Sequence, residues 1–347
     1  MSPFQIQLKL LIFPLLLSVI YSQLTIQDKE NIEKFILQGQ SKNTGLFFEE
    51  ESNINKYKYT QEAISVLNIL GLEVKHKKEI CKKVSEVKEV DVNIVTINKL
   101  FDCKIDFKNF KPDLNKGKLL DLYNEAQIMD TLNINQWKDL YKKVKNFMVQ
   151  ESGKFSALKI KDTKKRSLLA TAMGVEILSI IGSKSEDLKT EVLPLLKKSV
   201  DTIMKNYVEV SENMIVFLEK KVDTYRLNYH VISGAKAAKK LGIEIPLFNN
   251  NLCKLLNYFN TFKYEMITNI DNTYFLLQIY KLLEKIPLMQ INKDSFNYLS
   301  EKNIKINFEN IFGEKLQIKN TTINIEISEN KDKNPKTGDA KDSKQKS

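Results

Sequence analysis

The chain is 347 residues long, 42% hydrophobic and 28% charged, with 11 glycines, 7 prolines, 3 cysteines and 2 histidines, which excludes a collagen-like or wholly disordered chain. Its formal charge is +11, yet Arg166 and Arg226 are the only arginines among 54 basic residues, and the lysines interleave with acids throughout. A nucleic-acid partner is therefore not expected, because base reading and bidentate phosphate clamping rely on the planar guanidinium fork. Gly39 and Gly45 are the closest glycines, six apart, which excludes glycine-rich phosphate loops, and the absence of C-x-x-C and H-E-x-x-H leaves no cofactor or metal expected.

Residues 1–22 carry Lys9 and then the apolar run Leu10 to Ile20, the length of a signal-peptide core and too short to cross a bilayer comfortably. Pro14 and the abrupt polar switch after Leu24 argue against a buried helix, and small Ser22 suits cleavage before Gln23. The mature chain is thus expected in the oxidising lumen of the secretory pathway.

From 23 to 295 the apolar spacing predicts a mainly α domain. Thr25, followed three residues later by Asp28, reads as a helix start. Ala63, Val66, Leu67 and Leu70 mark one helical face, Ile94, Ile97 and Phe101 another, and Trp137, Leu140, Tyr141 and Val144 a third. Ser167 to Ile181 is apolar nearly all round, which suggests an inner helix despite Glu176 near its middle. Leu188, Val192, Leu195 and Leu196 follow, then Tyr225, Tyr229 and Ile232. Leu70-Gly71, Ile181-Gly182 and Leu241-Gly242 read as helix ends with glycine caps. Their uneven spacing predicts a loose array of helical hairpins, toroid or solenoid-like. Across 300–329 the period becomes two, through Ile304, Ile306, Phe308, Leu316, Ile318, Ile323, Ile325 and Ile327, and predicts a partial β-domain. The stretch 330–347 is polar and expected to be disordered.

In an oxidising lumen Cys81 and Cys103, 22 positions apart, read as a disulfide, which would contribute about 3 kcal/mol; the alternative is a set of small buried thiols, as expected of Cys253. Asn320 of Asn320-Thr321-Thr322 is the candidate glycosylation site. Candidate chemistry is sparse. Glu49-Glu50-Glu51 reads as a solvated loop, no D-D-x-x-D run occurs, and Asp102 directly precedes Cys103, which breaks the D-x-C spacing of a toroid zinc site. His230, near Tyr225 and Tyr229, reads as packing because no serine or cysteine partner can be placed beside it. No catalytic residue and no small-molecule substrate is expected.

One arrangement is distinctive: Leu24-Thr25 directly after the signal, a helix ending Leu70-Gly71 with Val74 three residues on, Lys77-Lys78 and Cys81, then a helix ending at Cys103 with Lys104-Ile105. It resembles the luminal N-terminal region of the ribophorin II family, a subunit of the eukaryotic oligosaccharyltransferase. The helix Asn269 to Leu283, the exit Ile286-Pro287-Leu288 and the strand-like 304–327 follow the same order. The resemblance covers about 24–327. It implies a helical-hairpin toroid with two similarly placed cysteines, followed by β-structure. The family continues to C-terminal membrane helices, where this sequence has a polar tail. It also implies a non-catalytic scaffold in the endoplasmic reticulum lumen, partnered by other subunits of the complex and reaching the membrane through them, while a different subunit transfers the glycan. The alternative expectation is a luminal helical-array binding protein unrelated to glycosylation. A toroid enzyme is disfavoured by the missing motifs.

Overall fold

Helix α1 (Ile26–Gln38) begins at Thr25 because two side chains there close a capping box: the Asp28 N–H donates to Thr25 Oγ1 at 3.1 Å, and the Thr25 N–H donates to Asp28 Oδ2 at 2.7 Å. The computed structural model describes residues 24–48, 55–162, 165–246, 248–262 and 269–283. These all belong to one compact unit, 1–289; a second unit, 290–347, lies outside the described residues. The expected signal (1–22), partial β-domain (300–329), tail (330–347), Asn320 and Glu49 to Glu51 also fall outside them.

Eleven α-helices occur among the described residues. After α1 come α2 (Lys56–Leu70), α3 (Lys77–Ser85), α4 (Val92–Phe101), α5 (Leu119–Leu132) and α6 (Trp137–Val144). Next are α7 (Leu168–Lys184), α8 (Glu186–Met204), α9 (Thr224–Lys240), α10 (Phe248–Phe262) and α11 (Ile270–Leu283). The mainly α class expected from the periodicity is the class observed. The predicted faces are buried: Ala63, Val66, Leu67 and Leu70 on α2, and Trp137, Leu140, Tyr141 and Val144 on α6. Gly71 caps α2 in the left-handed conformation at φ 73°, and Gly242, at φ 88°, lies just past α9.

Two features depart from expectation. Gly182 does not cap a helix; α7 runs on to Lys184, and Gly182 lies where Leu241 and Val192 approach closely. Two short antiparallel hairpins also interrupt the helices: β1 (Met148–Val149) with β2 (Lys154–Phe155), and β3 (Val208–Ser211) with β4 (Met214–Val216). Buried Asn228 of α9 extends the second hairpin, since its side chain accepts from the Phe217 N–H at 3.0 Å and donates to the Phe217 carbonyl at 2.9 Å. Such a side-chain clamp supplies ladder bonds that no strand provides there.

The bridge Cys81–Cys103 is present, with Cα atoms 5.1 Å apart. It ties α3, whose buried residues are only Ile80 and Val84, to the end of α4. So short a helix with so small an apolar face is marginal alone, and closing the loop offsets part of its ordering cost by about 3 kcal/mol. Cys253 is buried in α10 and lies outside the bridge.

Packing follows a closed order. Helix α2 packs on α4, α4 on α5, α5 on α7, α7 on α9, α9 on α11, and α11 returns to α2. The remaining helices lean on this circuit: α1 on α2, α3 on α4, α6 on α5 and α7, α8 on α7 and α9, α10 on α11 and β4. Helix α7 is the most enclosed, with buried residues running continuously from Ala170 to Ser179. Its N-terminus is held by Ser167 and by Glu219, whose carboxylate accepts from the Leu169 N–H at 2.9 Å and the Ser167 hydroxyl at 3.0 Å. A carboxylate suits the positive end of a helix dipole.

Small residues set how closely α7 is approached. A Cβ on Gly174 would lie 2.6 Å from the Phe155 ring, and Phe155 is fully buried. Gly174→Ala should therefore destabilise the protein by about 1–3 kcal/mol through overpacking. Urea denaturation of the two proteins checks this; an unchanged midpoint would contradict the packing.

A buried glutamate–histidine centre as candidate site

The sequence places a carboxylate in the most apolar helix, and that group has to be paired. Glu176 of α7 is 5% exposed. Its Oε1 lies 2.6 Å from His230 Nδ1 of α9, and His230 is 4% exposed. The other oxygen, Oε2, accepts from the Ser233 hydroxyl at 2.8 Å and from the Tyr123 hydroxyl of α5 at 3.3 Å. Three helices thus converge on one carboxylate. Their approach depends on Gly234, where a Cβ would meet Val175 Cγ1 at 2.9 Å and the Ala172 carbonyl oxygen at 3.3 Å. Removing one member of such a buried pair leaves its partner uncompensated, a loss of about 3–5 kcal/mol.

Aromatic rings enclose the pair. Tyr123 and Tyr229 meet the His230 ring edge-on, with centroids 5.2 and 5.1 Å away, and Phe275 of α11 packs against Tyr229 at 5.4 Å. Tyr274 packs against Phe275, with ring centroids 5.1 Å apart. Burial pushes all three phenols up: Tyr274 to about 12, and Tyr123 and Tyr229 well above the ordinary tyrosine value, with the Glu176 charge adding to each. All three tyrosines are half-buried. His230 Nε2 has no hydrogen-bond partner among the described residues.

A second polar group closes the circuit between α2 and α11. Lys58 Nζ reaches the two carboxylate oxygens of Asp271 at 2.6 and 2.5 Å and stands 3.7 Å from buried Glu62. Burial alone would raise the Asp271 pKa; hydrogen bonds from Glu62 and Lys58 outweigh it and hold the carboxyl below its usual value. Burial would lower Lys58, but Glu62 and Asp271 together raise it.

Of the residues singled out in the sequence, Cys81 and Cys103 are brought together on the rim, remote in the chain from this centre. His230 is buried and has a carboxylate partner that the sequence did not disclose. Tyr123, Ser233 and Tyr274 went unremarked there. The available signal was Glu176 itself, a charge within an apolar helix. No metal-binding group of three or more acidic, histidine or cysteine residues occurs among the described residues. Compared with known proteins, the chain matches no protein-family model, and it matches no curated protein.

The Asp271 clasp carries a defined pH dependence. Its pKa is lowered on folding, so its contribution is present above the unfolded value near pH 3.9 and is lost as pH falls through the depressed folded value. Asp271→Asn should lower stability by about 1 kcal/mol at pH 7, a modest figure because the pair is partly exposed, and the gap should close on acidification below about pH 3.9. Urea midpoints of both proteins across that range check it.

Proposed function

We propose that this chain is a non-catalytic luminal scaffold of the oligosaccharyltransferase complex, related to the ribophorin II family, which supports asparagine-linked glycosylation by assembly. The observation that carries the reading is the disulfide-closed unit from α2 to Cys103: a helix ending Leu70-Gly71, buried Val74, Cys81 on the next helix, and Cys103 after the helix beyond it. The resemblance calls for two cysteines in these places. A circuit of packed helices backed by outer ones also suits the helical-hairpin toroid of that family. The bridge fits an oxidising compartment, here the endoplasmic reticulum lumen. No helix among the described residues is long and apolar enough to cross a membrane, and in this reading the membrane is reached through partner subunits.

Mechanistically, the scaffold offers its outer helices as docking surfaces and leaves glycan transfer to a different subunit. Its own contribution is a surface kept in place by a rigid interior. Depletion should leave many glycoproteins under-occupied at their asparagine acceptor sites, read by glycopeptide mass spectrometry. Normal occupancy after complete loss, with no second copy to replace it, would overturn the assignment.

A further inference from the structure

The two ends of the Cys81–Cys103 bridge are anchored very unequally. Cys103 follows α4, which is capped by Asp91, buries Ile94, Val95, Ile97 and Phe101, and packs against both α2 and α5. Cys81 lies in α3, a nine-residue helix whose start has no side-chain cap and whose buried residues are Ile80 and Val84. Its polar ties to the body are slight: Gln40 Nε2 donates to the Lys75 carbonyl at 3.1 Å, and the Tyr57 hydroxyl donates to the Lys83 carbonyl at 3.4 Å. A helix this short is unstable in water by itself, so the covalent link carries a large share of its order.

The backbone at both ends of the bridge is held in a conformation it disfavours. His76, just before α3, has φ 59°, and Asp102 and Lys104, on either side of Cys103, have φ 52° and 58°. All three stand in the left-handed region that residues with a side chain avoid, so opening the bridge lets this backbone relax. Nor is the bridge sealed in the core, since both cysteines are half-buried and the lysine that follows each, Lys82 and Lys104, is exposed. Lys77 and Lys78 precede Cys81 by four and three residues and so share its helical face, where the residues three and four further on are Val84 and Ser85. Cations beside a cysteine stabilise its thiolate, and a stabilised thiolate leaves a disulfide faster.

We propose that Cys81–Cys103 is a reversible redox clasp, opened by a dithiol, that sets whether α3 is ordered while the circuit of helices stays folded. A thiolate of the dithiol attacks Cys103 Sγ; the Sγ–Sγ bond breaks and its electron pair leaves on Cys81, beside the lysines. The second thiol, deprotonated, then attacks the mixed disulfide and releases Cys103 as a thiolate. Two electrons pass to the protein, the dithiol is oxidised to its internal disulfide, and the two protons it gives up return to Cys81 and Cys103. Once freed, α3 leaves the rim and uncovers Val84 and Ile80, which is fully buried and lies so near Gly45 that a Cβ there would stand 2.9 Å from Ile80 Cγ1. Reduction thus exposes an apolar surface that the oxidised protein hides. The proposal goes beyond the scaffold role and does not depend on it.

Hydrogen exchange read by mass spectrometry tests this on the full chain, before and after dithiothreitol at pH 7 without denaturant. Cys253, the third cysteine, is free and buried, so the dithiol has one bridge to act on. Iodoacetamide labelling of a parallel sample shows when Cys81 and Cys103 are released. The expected result is that both become labelled, peptides across 77–85 exchange about a hundredfold faster, and peptides across α7 and α9 keep their protection. Removing the dithiol and adding oxidised glutathione should restore the slow exchange of α3. Unchanged exchange across α3 after both cysteines are labelled overturns the proposal. So does protection lost throughout α7 and α9, a loss at α3 that re-oxidation does not reverse, or a bridge that dithiothreitol opens only in urea.

Discussion

A carboxylate in the middle of the most enclosed helix is the constraint around which the rest is arranged. Glu176 sits on α7 among Ala172, Met173, Val175, Ile177 and Leu178, all buried. An unpaired charge there would be prohibitively destabilising, so the helix can be enclosed only if neighbours bring donors. Helix α9 brings His230 and Ser233, and α5 brings Tyr123. Those partners fix the rotation of both helices about their axes, because a turn of one residue would remove the donors from reach. Gly234 then allows the α7 and α9 backbones close enough for a 2.6 Å contact. Hydrophobic burial stabilises the interior, and the polar centre selects one arrangement of it.

The periphery answers a different problem. Helices α2 and α11 are more than two hundred residues apart in the chain, and their contact has a large entropic cost that local sequence does not offset. Lys58, Glu62 and Asp271 supply a directional contact at that seam. At α3 the apolar face is too small, and the Cys81–Cys103 bridge supplies the constraint. A body fixed at its centre, seam and rim suits a role in which surfaces must keep their places, and the proposed scaffold function asks for that.

Local features were legible in the sequence because they are written in local spacing. The capping box at Thr25 and Asp28 needs residues three apart, and the Trp137 face repeats every turn. Gly71 was readable as a cap since only a residue tolerant of positive φ suits that place. Gly182 shows the limit of the same rule: a glycine can mark a close approach of helices as well as an end, and the difference depends on Leu241 and Val192, which are distant partners. The β3–β4 hairpin escaped notice because its strands are four and three residues long, and Asn228, from the next helix, completes the pairing at Phe217. The central pair is the extreme case. Glu176 and His230 are separated by 54 positions, and nothing in either neighbourhood names the other. What the sequence did hold was a charge demanding a partner, which predicts that one exists without saying which.

The dependence of α7 and α9 on each other through this pair is tested most directly by a double-mutant cycle. Glu176→Gln, His230→Gln and the double variant would be compared with the wild type by urea denaturation at pH 7. The account predicts strong coupling: each single change costs about 3–5 kcal/mol, and the double change costs at least about 2 kcal/mol less than their sum. Additive losses would contradict it, showing that the two side chains share the interior without organising it.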